Sequence, residues 1–215
     1  MRMFWLAVLL AGPLAGAEES EWKTVATEDL SAAEAGAPAE ALFVVDGGWE
    51  VVEEAGEKYL QMPGSPIVEG GILFGPSTKG GSAVEARARG YRRGRSNPRF
   101  GVGVHGISGF RLRVVPARNL VELIRNEEEV VNAAYDWKPD AWLRLRLEVR
   151  QVGETWKVRG WVWPDGEERP EKPAIEHENA EAVGQGKASI WATPYSSRGI
   201  EFDDLRSEQP ADAGS

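Results

Sequence analysis

The stretch "AWLRLRLEVR", residues 141–150, decides the fold. Leu143, Leu145, Leu147 and Val149 alternate with Trp142, Arg144, Arg146, Glu148 and Arg150. A period of two places the first set on one face of a strand and the second set on the other, one dry and one wet. The same pattern recurs on both sides. Val84, Ala86 and Ala88 alternate with Glu85, Arg87 and Arg89. Phe100, Val102 and Val104 alternate with Gly101, Gly103 and His105, and Phe110, Leu112 and Val114 with Arg111 and Arg113. Short apolar runs at Trp49–Val52, Tyr59–Met62 and Gly71–Phe74 are bounded by Gly and Pro. In "RNEEEV", Val121 and Leu123 before and Val130-Val131 after indicate a hairpin tip, with Glu127, Glu128 and Glu129 as a solvated turn. Many half-buried strands and no long helical period predict an all-β, antiparallel, two-sheet jelly-roll-like sandwich.

The ends read differently. Residues 1–17, "MRMFWLAVLLAGPLAGA", combine one Arg, an apolar run and a small-x-small site at Ala15-Gly16-Ala17, which predicts a cleaved signal peptide. Periplasmic or extracellular localisation follows. That apolar run is too short for a membrane span, and no later one is long enough. Residues 18–41 read as a loosely ordered lead-in, 42–207 as the sandwich, and 208–215 as a disordered tail. The absence of cysteine excludes disulfides, a lipid-anchored Cys and a thiol nucleophile. The formal net charge is −9, or −10 once Arg2 leaves with the signal, which argues against nucleic acid as a partner.

A series of segments ("GGWEVVEE", "GILFGP", "VEARARG", "PRFGVGVHG", "AYDWKPDAWLRLRLEV", "WKVRGWVWPDGEERP" and "IEFDDLR") resembles the concanavalin A-like lectin/glucanase superfamily over residues 42–207. More narrowly it resembles the laminin-G-like and 3-keto-disaccharide-hydrolase-like domains of secreted bacterial proteins. The resemblance implies a sandwich fold. Its members include sugar binders, hydrolases and domains with no known ligand, so function has to come from a site.

No catalytic motif is present. The superfamily's glucanases carry Glu-x-Asp-x-x-Glu. Here Glu201-Phe202-Asp203 is followed by Arg206 where the second Glu belongs, and it stands in the final strand. "GPSTKGGSA" lacks the order of a phosphate loop, and neither "GGSAV" nor "GISGF" has nucleophile-elbow spacing. His105 and His177 are the only histidines, too few for a zinc site without carboxylate partners. No catalytic residue and no cofactor are assigned, and the chain reads more as a binding domain than as an enzyme.

Two candidate sites and one basic stretch remain. If Val158, Gly160 and Val162 face the core, Arg159, Trp161 and Trp163 face outward, beside Trp142, Arg144 and Arg146 of the preceding strand. Flat aromatics interleaved with guanidiniums suit sugar recognition, and these six are the candidate ligand-binding residues. The bland reading is a secondary core beneath the Pro-rich segment "WPDGEERPEKP" or beneath the lead-in. Asp203 and Asp204 stand where alternation would bury a carboxylate, so a β-bulge is expected to turn both outward and return Leu205 to the core. Their expected role is to protect a terminal strand edge, and calcium is the weaker alternative. In "ARARGYRRGRSNPR", Arg87, Arg89, Arg92, Arg93, Arg95 and Arg99 surround Tyr91; such forks fit carboxylates or sulfates, or pair with the chain's own acids. The expected function is a non-catalytic binding domain for a glycan or other envelope polymer. A sugar-active hydrolase and a structural envelope protein are the alternatives.

Overall fold

Residues 21–64 and 68–211 are described in this computed structural model, and their regular structure is fifteen β-strands and one short 3-10 turn. The expected signal peptide lies outside the described residues. In chain order the strands begin with β1 (Trp22–Glu28), β2 (Phe43–Asp46), β3 (Glu50–Glu54), β4 (Glu57–Met62) and β5 (Gly70–Lys79). Next come β6 (Ser82–Arg89), β7 (Arg99–Gly103), β8 (Phe110–Val115), β9 (Leu120–Arg125) and β10 (Glu128–Ala134). The last five are β11 (Trp142–Val152), β12 (Thr155–Pro164), β13 (Ile175–Asn179), β14 (Gln185–Thr193) and β15 (Ile200–Pro210).

They form two antiparallel sheets. The first has eight strands, ordered β13-β12-β11-β6-β15-β4-β3, with β1 also paired to β15. The second has seven, ordered β10-β9-β8-β7-β14-β5-β2. This is the expected all-β, jelly-roll-like sandwich.

The alternating apolar residues meet between the sheets. Leu143, Leu145, Leu147 and Val149 of β11 pack with Val84, Ala86 and Ala88 of β6 on one side of the core. Phe100, Val102, Phe110, Leu112, Val121 and Ile190 supply the other side. Size is matched across the gap. A Cβ at Gly160 would come within 2.6 Å of the Leu112 side chain, so the glycine makes room for a leucine from the facing sheet.

Turns set the register. Val152 pairs with Thr155 across Gly153-Glu154, and Gly153 has φ +62, as the first position of a type II′ hairpin loop requires. "RNEEEV" is the expected hairpin: Arg125 pairs with Glu128, and Asn126 and Glu127 both have positive φ, a type I′ turn.

The structure differs from the sequence-based expectation at both ends. The lead-in contributes β1, which pairs with β15 from Trp22↔Pro210 to Glu28↔Leu205. β15 accordingly runs to Pro210, past the expected start of the tail. The short amphipathic pattern of β1 is too weak for periodicity to reveal, and the strand exists because β15 offers an edge there. Among the described residues, no helix is long and apolar enough to cross a membrane.

Candidate functional site

The wet face of the eight-stranded sheet carries the predicted candidates. Cross-strand register aligns them in rows: Trp163, Arg144, Arg87 and Asp203 in one, and Trp161, Arg146, Glu85 and Arg206 in the next. A third row runs Arg159, Glu148, Ala83 and Glu208. Like charges directly opposite each other are destabilising, and Arg144 faces Arg87. Asp165, just past β12, resolves this by receiving Arg144 Nε at 2.6 Å and Arg87 Nε at 2.9 Å.

Arg146 is the centre of the face. It is 3% exposed, and its guanidinium meets Glu148 at 2.6 Å, Glu85 at 3.2 Å and Glu208 at 2.5 Å. Arg206 reaches Glu85 at 2.8 Å, and Arg169 reaches Glu148 at 3.5 Å. Three carboxylates are thus matched by three guanidiniums. Burial would depress the Arg146 pKa, but Glu148 and Glu208 outweigh it and hold the guanidinium above its ordinary value.

The expected bulge is present. Register shifts between Asp203 and Arg206, Asp204 has φ +50, and Leu205 is fully buried in the core. Its expected purpose is corrected. β15 lies between β6 on one side and β4 with β1 on the other, so no open edge needs protecting. The two aspartates instead divide the two facing arginines: Arg87 donates to Asp203 at 3.3 Å and Arg144 to Asp204 at 2.6 Å. Burial raises the Asp203 pKa, against the Asp204 N–H and Arg87, which favour its charged form. Among the described residues no group of three or more His, Cys, Asp or Glu is placed to hold a metal ion.

A pocket of about 390 Å³ opens between the bulge and the end of β1. Arg144 and Arg206 supply donors; Glu28, Asp29, Glu85 and Asp204 supply acceptors. Asp29 is held at its neck by the Ser31 N–H and hydroxyl, which keep its carboxyl below the ordinary range.

The six predicted residues share the face but not the same accessibility. Trp161 and Trp163 are 5% and 6% exposed, and the Arg169 guanidinium of the Pro-rich segment lies 5.1 Å from the Trp161 ring. Trp142 is half-buried, with the Arg87 and Arg89 guanidiniums 4.1 and 4.6 Å from its ring. Arg159 pairs with Glu176 at 3.3 Å. Of the six, Arg144 lines the pocket.

Sequence reasoning missed the neutralising acids, because Glu85, Asp165, Glu201 and Glu208 meet their arginines only through sheet order. Glu201 illustrates this. It is buried, and both its oxygens lie 2.9 Å from the Tyr91 hydroxyl while Arg89 donates to it from across the strand pair. The weighed alternative for the arginine stretch, pairing with the chain's own acids, is what Arg87 and Arg89 do. His105 is buried with Nε2 2.8 Å from the Gly80 carbonyl, and burial depresses its pKa. Of the expected solvated acids, Glu127 and Glu129 pair with Arg111 and Arg118.

No protein-family model matches the sequence, and no curated protein matches it. Solved structures do match in fold. A carbohydrate binding module, CBM66 from Bacillus subtilis, is 13% identical, covering 79% of this chain and 96% of its own at a TM-score of 0.54. The carbohydrate recognition domain of Emp46p, in its potassium-bound form, is 10% identical over 87% of this chain and 98% of its own, TM-score 0.56. A Bacillus subtilis protein of unknown function with a galectin-like fold is 12% identical over 88% and 98%, TM-score 0.59. The chain has a lectin-like β-sandwich fold.

Proposed function

We propose that this protein is an exported, non-catalytic carbohydrate-binding domain of the concanavalin A-like kind, with a glycan or another envelope or extracellular polymer as its ligand. The observation that carries the reading is the pocket beside the Asp203–Asp204 bulge. Arg144 and Arg206 face four carboxylates across a space the size of one or two sugar rings. Dense donors and acceptors of both signs, held in place by ion pairs at Arg144, Arg206, Glu85 and Asp204 and by hydrogen bonds at Glu28 and Asp29, suit a neutral polyhydroxylated ligand, because each hydroxyl both donates and accepts. Two of the structures similar in fold are described as a carbohydrate binding module and a carbohydrate recognition domain. Export rests on residues 1–17 of the sequence.

Binding is favoured over hydrolysis because the carboxylates of the bulge face hold guanidiniums, while Glu28 and Asp29 of the pocket accept from the Leu30 N–H and from the Ser31 N–H and hydroxyl. Glu201 is tied to Arg89 and Tyr91, Asp203 to Arg87, and Asp204 to Arg144. A glycosidase needs one free carboxylate and one free carboxylic acid flanking the bond. We assign the Asp203–Asp204 pair to this ion-pair ladder and not to calcium, since each carboxylate already faces a guanidinium.

The test is a glycan array followed by calorimetry on the best neutral oligosaccharide. Arg144→Ala and Asp204→Ala, each checked for an unchanged β-sheet circular dichroism spectrum, should weaken binding at least about tenfold, the worth of one charge-assisted hydrogen bond. Unchanged affinity in both folded variants would overturn the site.

A further inference from the structure

A second pocket, of about 410 Å³, lies at one end of the other sheet, where β7 begins and β8 and β14 end. Three connections enclose it: residues 90–98 between β6 and β7, 116–119 between β8 and β9, and 194–199 between β14 and β15. Its walls include Arg95, Arg99, Arg118, Asn97, Pro98 and Tyr195. No lining residue is acidic, in a chain whose formal net charge is −9. That reverses the character of the first pocket.

Arg99 is the unusual member. Six buried or part-buried arginines elsewhere on the two wet faces hold carboxylates within 3.6 Å: Arg87, Arg89, Arg111, Arg113, Arg144 and Arg146. Arg99 is half-buried, yet among the described residues no carboxylate lies within ion-pair distance of it. Its guanidinium donates to the Tyr195 hydroxyl and sits 5.2 Å from that ring. Accepting this bond leaves the Tyr195 O–H proton free to donate in turn. Burial first, and then the neighbouring Arg113, depress the Arg99 pKa, against the more distant Glu69, Glu122 and Glu127, which favour its charged form.

The pocket is braced before any ligand arrives. Arg93 and Ser96 exchange backbone hydrogen bonds across Gly94, which has φ +58, and Arg92 donates to Asn97 Oδ1 at 2.9 Å. Arg118 is anchored by Glu122 and Glu129 but remains half-exposed. Pro98, Val115, Ala117 and the Tyr195 ring give the floor an apolar side.

We infer that this pocket binds the carboxylate or sulfate of an acidic saccharide, with Arg99 at its centre and Arg95, Arg118 and the Tyr195 hydroxyl around the anion. The anion chemistry stands on the pocket alone, while the choice of a saccharide rests on the reading of the protein as a glycan binder. Planar guanidiniums take carboxylate or sulfate oxygens in pairs, and the apolar floor accepts the C–H face of a ring. An acidic peptide fits less well. The pocket sits over the ends of β7, β8 and β14, which are interior strands, so a peptide finds no free strand edge to extend.

The experiment is calorimetry on the full chain with four probes: a uronic-acid oligosaccharide, the same oligosaccharide with its carboxyls reduced to alcohols, a sulfated oligosaccharide, and an Asp/Glu-rich peptide. The expected result is binding of the uronic-acid or sulfated probe, weakened by salt, with no binding of the reduced one. Arg99→Gln and, independently, the exposed Arg95→Gln should each weaken it at least about tenfold, while Lys172→Gln, which removes an exposed cation outside both pockets, leaves it unchanged. No binding of either acidic saccharide by the wild type would overturn the inference. So would unchanged affinity in both arginine variants, or equal binding of the reduced oligosaccharide. Preference for the peptide would overturn the saccharide assignment. Neutral-glycan binding sensitive to Arg144 is read separately, so failure of one site does not decide the other.

Discussion

Replacing Arg146 by methionine isolates what holds the wet face of the eight-stranded sheet together. Methionine keeps the unbranched length and removes the guanidinium, leaving Glu85, Glu148 and Glu208 facing one another, each nearly buried. Breaking a buried charge cluster by removing one partner costs about 3–5 kcal/mol, because the three carboxylates lose their buried guanidinium and keep the more exposed Arg206 and Arg169. For a chain of this size each kcal/mol moves the melting temperature by roughly 2–4 °C, so a fall of about 6–20 °C is expected at pH 7.5. Urea unfolding of both proteins at pH 7.5 measures it. Adding Glu85→Gln should restore part of the loss, because the two sites share one network. A deficit below about 1 kcal/mol, the scale of an exposed ion pair, would refute the reasoning. So would a double variant no more stable than Arg146→Met alone.

Three further outcomes follow. Trp161→Ala and Trp163→Ala should each destabilise the fold by about 3–5 kcal/mol in denaturant titration, as buried aromatics do on truncation, and near-neutral stability would mean the rings are open to solvent. Asp203→Asn with Asp204→Asn should lower stability without any calcium dependence, whereas a calcium-induced rise in wild-type melting temperature that the double variant lacks would reassign the pair to a metal. His105 is buried with a depressed pKa, so it contributes stability above the unfolded value near 6.5 that declines as pH falls below it. His105→Asn, which tolerates the φ of +61 at this position, should flatten the stability profile between pH 7 and 5, and an unchanged slope would contradict this.

The fold was legible because the core needs only parity. Leu143 to Val149, Val84 to Ala88 and Phe100 to Val104 each announce one buried face, and burial is what the sheets deliver. The bulge was legible for the same reason: strict alternation would have buried Asp204, and the backbone inserts a residue so that Leu205 is buried instead. Ionic partnerships were not legible. Arg144 and Asp204 are sixty residues apart, and nothing local tells an arginine whether sheet order will bring it a carboxylate, a tryptophan or solvent. The candidate face was therefore identified by its residues but not by its openness. The segment that carries Arg169 over Trp161 decides that, and its composition reads only as a Pro-rich loop. The strand β1 escaped for a related reason, since its pairing follows from the length by which β15 runs past β4 and not from its own sequence.

The central claim is that the donor and acceptor cluster around Arg144 and Asp204 binds a sugar. Titration calorimetry with the strongest neutral oligosaccharide from an array, on wild type and on Arg144→Ala, tests it most directly. The account predicts saturable binding by the wild type and at least about a tenfold loss in a variant that stays folded. Absence of binding to any glycan on the array by the folded wild type, or equal affinity in both proteins, would contradict it.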